Sequence, residues 1–310
     1  LLMTRGLNII SARPAPHRFN VLFNDPSRSR ESVSIWSAWE HRPAVHRQGG
    51  INFSFMVGLK EEDGQILCLD PIEQDPHTLI AGSTGSGKTV LVQTLLLDMA
   101  ATNPSNKLKF FIIDPKGGMD YAPLAKLPHL AEPVVIEQTK AVDVLNKVLE
   151  EMERRYVLFR EAQAKNLQRY NAKVPPEEQL PAIFLVHDEI PNWMQDRDYA
   201  EKLTTLVTKL ATTARAAGIY LILMAQRPDK DVLPMQIRDN LANRLVLKLS
   251  ALSGEIALGE KGAENLLGKG HLVAKLGGVL SYAQAPYVND ENGEIEEVVD
   301  AICAADGEWR

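Results

Sequence analysis

Gly82-Ser83-Thr84-Gly85-Ser86-Gly87-Lys88-Thr89 lies between the apolar run Thr78–Ala81 and a helical pattern that starts at Val90. Glycines let this loop curl so that its N–H groups point at phosphate oxygens, and the following helix adds its positive end. Lys88 supplies a charge to the β- and γ-phosphates, and Thr89 offers a hydroxyl to Mg²⁺. Because the flanking strand and helix give the expected context, the stretch predicts a phosphate-binding loop (P-loop) for a nucleoside triphosphate and Mg²⁺, and not a chance match in an irregular loop.

Length and composition are those of a globular protein. The 310 residues are 45% hydrophobic and 24% charged, which suffices for one large domain and a small one. Cys68 and Cys303 are far apart in sequence and belong to no ligand cluster, so neither a disulfide framework nor a zinc site is expected. No apolar run approaches the roughly 20 residues of a membrane span. We therefore expect a cytoplasmic location. The sequence leaves open whether a region upstream of Leu1 tethers the protein to a membrane.

Beyond residue 50 the chain alternates buried apolar runs with helical patterns. The apolar runs are Thr78–Ala81, Lys109–Ile113, Ile183–Val186, Ile219–Met224 and Leu245–Leu247, and the longer helical patterns are Leu145–Phe159 and Tyr199–Ala217. This alternation predicts an α/β fold with a mostly parallel sheet and helices on both faces. The repeated glycines at Gly277-Gly278 predict a late hairpin, and Ile295–Ala304 predicts a final helix.

The part before Gly50 has a different texture, with short strand candidates at Val21–Phe23 and Val33–Trp36. Two further strand candidates, Ile51–Leu59 and Gln65–Leu69, follow it. We therefore expect a small β-containing lead-in over residues 1–50 and the larger domain over residues 51–310.

A pair of carboxylates, Asp188 and Glu189, directly follows the apolar strand Ile183–Val186 and His187. This position places them at the carboxyl edge of the sheet, beside the P-loop. Asp188 would hold Mg²⁺, directly or through water, and Glu189 would polarise the attacking water. The alternative is a solvated acidic turn, which the P-loop disfavours because loop and pair together supply metal ligand and base. His187 has no second ligand residue nearby, so we expect a packed, hydrogen-bonded histidine and not a metal ligand.

Gln226 follows the fourth apolar strand. An amide at this position could sense the γ-phosphate or orient water, as glutamine does in other hydrolases of this chemistry. It could equally be a polar residue that caps the strand. Position alone leaves these two possibilities open.

Seven further sequence blocks resemble one protein family. They are His77, Asp114-Pro115-Lys116, Glu151–Tyr156, Tyr170-Asn171, Ala214–Ile219, Gln226-Arg227-Pro228 and Gly262–Gly270. In this order they are similar to the FtsK/SpoIIIE family of double-stranded DNA translocases. The resemblance implies a RecA-like ATPase motor domain that forms a homohexameric ring around double-stranded DNA, binds ATP between neighbouring subunits and follows a small subdomain.

The resemblance also assigns roles to single residues. Lys88, Thr89, Asp188 and Glu189 match the family's phosphate, Mg²⁺ and acidic residues, and Gln226 matches its sensor. Arg215 matches an arginine that could reach the neighbouring subunit's nucleotide, where a fixed cation stabilises transition-state charge. Without the resemblance, Arg215 would be read as a surface arginine near a helix end. Arg244 is a lesser candidate for the same role, and its alternative is a cation at a strand edge.

For contact with DNA, the resemblance implies pore loops near Gln226-Arg227-Pro228 and after the fifth strand. Arg227 and Lys230 are therefore the expected DNA-binding residues. The second loop, Ser250–Ile256, departs from the family pattern because Ala251 and Glu255 stand where basic residues are expected. The formal net charge of −6 argues against coating nucleic acid by bulk attraction but allows contact through a few residues.

Three functions remain open from the sequence. The first is an ATP-driven motor that moves double-stranded DNA. The second is a secretion-type relative that moves polypeptides, for which a neutral or acidic pore loop would be better suited. The third is a nucleotide-binding assembly module with little hydrolysis, which the intact Asp188-Glu189 pair disfavours.

Overall fold

The structure, a computed structural model, describes residues 8–15, 18–24, 32–44, 47–228, 233–289 and 292–308. The strands are β1 (Asn8–Ala15), β2 (Arg18–Asn24), β3 (Arg47–Gln48), β4 (Ile51–Asn52), β5 (Phe55–Lys60), β6 (Ile66–Leu69), β7 (Thr78–Ala81), β8 (Leu108–Ile113), β9 (Ala182–His187), β10 (Ile219–Ala225), β11 (Asn243–Leu247), β12 (His271–Leu276) and β13 (Val279–Gln284). The helices are α1 (Ile35–Glu40), α2 (Lys88–Thr102), α3 (Gln138–Glu161), α4 (Leu167–Asn171), α5 (Arg197–Thr213), α6 (Met235–Asp239), α7 (Ala251–Leu258) and α8 (Glu294–Glu308).

In the described ranges, nine strands form one mixed sheet in the order β6-β5-β13-β12-β11-β7-β10-β9-β8. The five strands from β11 to β8 are parallel, and β12, β13, β5 and β6 extend the sheet with antiparallel pairs. The α/β fold with a parallel-rich sheet is thus confirmed. Because β7, β10 and β9 are neighbours and parallel, the loops that follow them meet at one edge.

Helices cover both faces of this sheet, and the alternation of side chains along the strands explains why. On β7, Leu79 packs into one buried cluster together with residues of α3 and α5, whereas the next residue, Ile80, packs into a second cluster with residues of α2 and α8. Successive side chains of a strand point to opposite faces, so apolar residues at every position require cover on both sides.

The strand expected at Val33–Trp36 is wrong, because this segment begins helix α1 instead. The hydroxyl of Ser34 accepts a hydrogen bond from the backbone N–H of Ser37 at 3.1 Å, which caps the helix. Ile35 and Ala38 are fully buried, and their spacing is helical. The cap at Ser34 and the helical spacing of the buried residues therefore stabilise a helix here, although the short apolar alternation predicted a strand.

The strand expected at Ile51–Leu59 is broken into β4 and β5. The side chain of Asn52 accepts a hydrogen bond from the N–H of Ser54 and donates one to its carbonyl, both at 3.1 Å. Such local bonds compete with the strand ladder. The short strands β3 and β4 pair with each other on either side of residue 50. The expected domain boundary at that residue stays a prediction.

Among the described helices, none is both long and apolar enough to cross a bilayer.

Candidate active site

The P-loop connects the end of β7 to the start of α2, as the sequence predicts. Gly85 and Gly87 have φ of 76° and 98°, a left-handed conformation that favours glycine. Ser83 donates hydrogen bonds from its N–H and its hydroxyl to the carbonyl of Lys248, at 3.0 and 2.8 Å. Lys248 directly follows β11, a strand next to β7, so the end of this neighbouring strand holds the loop that is expected to bind phosphate.

A second glycine segment supports the loop from the other side. The N–H of Gly270 donates to the carbonyl of Ser86 at 2.8 Å. A Cβ atom at Gly87 would lie 2.5 Å from the nitrogen of Gly270, so this contact admits no side chain. The block Gly262–Gly270 was noted in the sequence only for its resemblance. Its last residue, Gly270, packs against Gly87 and bonds to Ser86, and this contact is here called the Gly270 brace of the P-loop.

The acidic pair follows β9 and lies beside Lys88. The Nζ atom of Lys88 is 3.1 Å from Oε2 of Glu189 and 3.8 Å from Oδ1 of Asp188. Glu189 has a left-handed backbone with φ of 42°, an uncommon conformation for a residue with a side chain. Strain of this kind clusters at functional sites, and here it aims the carboxylate at the P-loop lysine.

The pKa values of the two carboxylates are shifted in opposite directions. Burial raises the pKa of Asp188, although Lys88 and Lys116 oppose the shift. Burial also acts on Glu189, but Lys88, the N–H of Gln226 and Lys116 together lower its pKa. Glu189 is therefore held as a carboxylate, the form that can accept a proton.

Gln226 joins this site through both its backbone and its side chain. Its N–H donates to Oε1 of Glu189 at 3.1 Å, and its side-chain oxygen accepts from the hydroxyl of Thr84 at 3.1 Å. The residue thus links the P-loop to the acidic pair. The sensing role itself stays a prediction.

Three further residues of this site follow β8, in a segment that runs into the 3₁₀ helix Met119–Leu124, and the sequence assigned a role to none of them. Lys116 Nζ lies 3.2 Å from Oε2 of Glu189, and the hydroxyl of Tyr121 donates to Oδ2 of Asp188 at 3.2 Å. The hydroxyl of Thr89 donates to Oδ2 of Asp120 at 3.4 Å. The signal was the position of Asp114-Pro115-Lys116 at the carboxyl end of the strand next to β9.

A cavity of about 1070 Å³ opens at the P-loop. Its walls include Lys88, Thr89, Lys116, Asp120 and Gln226 on the phosphate side. On the other side it is lined by Leu267, Lys269, Gln284, Pro286 and Tyr287. Ligand sites commonly measure about 300–1,000 Å³, so the cavity has room for a whole nucleotide.

His187 is fully buried and hydrogen-bonded, as predicted. Its ring nitrogens lie 2.9 Å from the carbonyl of Asp188 and 2.8 Å from the hydroxyl of Tyr199. Burial lowers its pKa to about 4, so the ring is neutral at physiological pH.

The two arginine candidates lie away from the P-loop. Arg215 precedes β10 and Gln226 follows it, and a seven-residue strand spans roughly 20 Å. The exposed Arg215 donates to the carbonyls of Ile72 at 2.6 Å and Gln74 at 3.2 Å. Arg244 donates to the carbonyls of Ala257 and Arg238, and its role stays a prediction.

Of the expected DNA-binding residues, Arg227 is exposed beside Gln226, and Lys230 lies outside the described residues. The second expected loop, Ser250–Ile256, is a helix: Ser250 caps α7 and accepts from the N–H of Ser253 at 3.3 Å. Ala251, Leu252 and Glu255 are exposed on α7, with Leu252 72% exposed.

Comparison with known proteins places this site in a family. The model of the FtsK/SpoIIIE family matches residues 52–230. The DNA translocase FtsK of Campylobacter jejuni subsp. jejuni serotype O:23/36 (strain 81-176) is 37% identical over 232 residues, which are 73% of this chain and 24% of that protein. The chain therefore spans about a quarter of the length of this relative.

Two solved structures have the same fold. The pCW3 conjugation coupling protein TcpA, in its monomer form with ATPγS, gives a TM-score of 0.76 at 25% identity and covers 98% of this chain and 83% of its own. The cytoplasmic domain of the type VII secretion ATPase EccC of Thermomonospora curvata gives 0.74 at 26% identity, with 88% of this chain and 34% of its own covered. Since the family model matches more than half of the sequence, the chain belongs to the FtsK/SpoIIIE family and carries its P-loop ATPase domain.

Proposed function

We propose that this domain binds and hydrolyses ATP with Mg²⁺ and uses the energy to move double-stranded DNA through a homohexameric ring. The observation that best supports ATP hydrolysis is that the ammonium of Lys88 and the N–H of Gln226 both contact the carboxylate of Glu189, beside the P-loop. A phosphate-binding lysine, a strand-end carboxylate and a sensor at one point are the parts that ATP hydrolysis needs.

The residues beside the P-loop fit a divalent cation. Asp188 Oδ1 is buried and has no hydrogen-bond partner among the described residues, so it offers an oxygen to a hard cation. In this proposal Thr89 and Asp188 would hold Mg²⁺. When bound, Mg²⁺ neutralises charge on the phosphate oxygens.

Glu189 is proposed as the residue that orients and deprotonates the attacking water. Its carboxylate is ionised, because Lys88, Lys116 and the N–H of Gln226 overcome the effect of burial on its pKa. The proton of the water moves to this carboxylate as the water oxygen bonds to the γ-phosphorus, while the bond from that phosphorus to the β–γ bridging oxygen breaks and ADP leaves. Lys88 and the loop N–H groups bind the phosphates meanwhile.

Double-stranded DNA is the proposed track because of family membership and because the relative that aligns with 73% of this chain is a DNA translocase. Arg227 and Lys230 are proposed to contact the phosphates. Few cations imply weak, sequence-independent binding with a shallow salt dependence.

A polypeptide track is the second candidate, and one observation favours it. The exposed part of α7 carries Ala251, Leu252 and Glu255; the carboxylate of Glu255 repels phosphates, and the apolar Ala251 and Leu252 suit contact with an unfolded chain. The similarity to the secretion ATPase EccC agrees with this alternative.

ATP turnover against duplex concentration at two salt concentrations separates the candidates. For a DNA motor, we expect stimulation at low salt that weakens as salt rises, since phosphate contacts release counterions. Arg227→Ala should lower the ratio of stimulated to basal turnover. Arg160→Ala, which changes an exposed arginine on α3, is the matched control and should behave like the wild type.

Absence of stimulation at low salt, in protein shown to be hexameric, would contradict the DNA track. Stimulation by an unfolded polypeptide under the same conditions would then support the second candidate. A wild type without any ATP turnover would contradict the proposal at its first step.

A further inference from the structure

The segment Asp114–Tyr121, here called the 114–121 loop, runs from the end of β8 into the 3₁₀ helix Met119–Leu124 and contacts three side chains to which we assign chemistry. Lys116 contacts Glu189, Asp120 contacts Thr89, and Tyr121 contacts Asp188. The loop follows β8, which pairs in parallel with β9, so it lies directly beside the acidic pair.

The backbone of this loop is tightly fixed. Asp114 is fully buried, and its two carboxylate oxygens each accept a backbone N–H at 2.9 Å, from Lys116 and Gly118. Gly117 and Gly118 have φ of 94° and 77°, a bend that a side chain would strain. The backbone position of Lys116 is therefore set by the loop, and from this position its side chain reaches Glu189.

Lys116 and Lys88 share one oxygen of Glu189. Their Nζ atoms lie 3.2 and 3.1 Å from Oε2, while Oε1 accepts the N–H of Gln226. Lys88 has a second task, because a P-loop lysine contacts the β- and γ-phosphates. Among the described residues, Glu189 is the only acidic side chain within ion-pair distance of Lys116.

We propose that Lys116 is a positioning residue that keeps the carboxylate of Glu189 aimed at the attacking water once Lys88 engages phosphate. The inference rests on the proposed function, in which Glu189 is the base of ATP hydrolysis. Lys116 holds Oε2 and the N–H of Gln226 holds Oε1, so the carboxylate is fixed at both oxygens without Lys88. A base that is displaced by about 1 Å can lose roughly 100-fold in rate, which sets the scale of the effect.

The test compares Lys116→Gln, Lys116→Arg and a control in the purified chain. Lys140→Gln is the control, because Lys140 is also a lysine paired with a glutamate but lies on α3 with Glu137 at 2.7 Å. For each variant, kcat and KM for ATP are measured, and the affinity for a non-hydrolysable ATP analogue is determined separately. Thermal unfolding shows that each variant is folded, which is expected because the side chain of Lys116 is 36% exposed.

We expect Lys116→Gln to lower kcat by roughly 10- to 100-fold while the affinity for the analogue stays within about twofold. Lys116→Arg should recover much of the loss, because a guanidinium can donate to the same oxygen. Lys140→Gln should match the wild type.

Three results would overturn this role. A kcat of Lys116→Gln equal to that of an active wild type contradicts the role of Lys116 and leaves the proposed function standing. Loss of analogue affinity together with kcat would identify Lys116 as a phosphate contact instead. An inactive wild type with intact analogue binding contradicts the proposed function itself and the role of Lys116 with it.

Discussion

Adjacent carboxylates at residues 188 and 189 differ because their surroundings differ. Asp188 is 1% exposed, and burial raises its pKa against the opposing effect of Lys88 and Lys116. Burial acts on Glu189 as well, but Lys88, the N–H of Gln226 and Lys116 outweigh it and lower the pKa of that group. An oxygen that lacks a donor suits a cation, and an ionised carboxylate held by three donors suits a proton acceptor. This contrast supports the two proposed roles, in which Asp188 holds Mg²⁺ and Glu189 accepts the proton of the attacking water.

Variants of Lys88 and Glu189 should separate ATP binding from ATP turnover. Lys88→Ala should lose both ATP binding and hydrolysis, because it removes the charge that holds the phosphates. Glu189→Gln should still bind ATP but lose turnover by about 100-fold or more, the scale of general-base catalysis. Equilibrium binding of labelled ATP and steady-state hydrolysis are the two measurements.

Glu153→Gln is the control for that pair of variants, because Glu153 is an exposed glutamate paired with Lys209 on the outer helices. It should bind and hydrolyse ATP like the wild type. Hydrolysis by Glu189→Gln at the wild-type rate would remove that residue from the role of base.

At the scale of elements, the sequence predicts most of the sheet and part of the site. The parallel strands β7 to β11 could be located because each is an apolar run in a strand–helix alternation. The block Asp114-Pro115-Lys116 was noted for its resemblance, but the sequence assigned the 114–121 loop no role, because hydrophobic periodicity does not show which strands become neighbours. Only the sheet order, with β8 beside β9, brings these residues to the acidic pair. The same limit applies to Gly270, which is remote from the P-loop in sequence.

The contact between Gly87 and Gly270 leads to a prediction with an internal control. Gly87→Ala places a Cβ 2.5 Å from the nitrogen of Gly270, whereas Gly85→Ala meets nothing within 4 Å. Both positions have positive φ, so both variants carry a backbone cost of about 1–2 kcal/mol. Gly87→Ala should lose clearly more stability and ATP affinity than Gly85→Ala, because it also displaces the Gly270 brace.

Thermal unfolding and ATP binding, measured side by side, check this difference. Equal losses in the two variants would mean that backbone strain alone matters and that the contact with Gly270 does not stabilise the loop.

At the scale of the whole molecule, the sheet separates the P-loop from Arg215. The P-loop and the acidic pair lie at the carboxyl ends of the parallel strands, whereas Arg215 precedes β10 at the opposite edge. Arg215 therefore cannot serve the nucleotide of its own chain. A catalytic role for it requires a second subunit, and its bonds to the carbonyls of Ile72 and Gln74 would have to be exchanged for that contact.

The last prediction tests whether the active site is shared between subunits. Arg215→Ala should leave ATP affinity nearly intact and lower turnover by at least about tenfold, or about 1.4 kcal/mol of barrier. Arg169→Ala, an exposed arginine on the nearby α4, should have no such effect. In mixtures of Arg215→Ala and Glu189→Gln subunits, some interfaces contain one intact copy of each group. Turnover of the mixture should then exceed that of either variant alone, because such an interface regains both base and arginine. If mixed rings form and no ratio of the two variants gives this excess, Arg215 does not act on the neighbouring subunit's nucleotide.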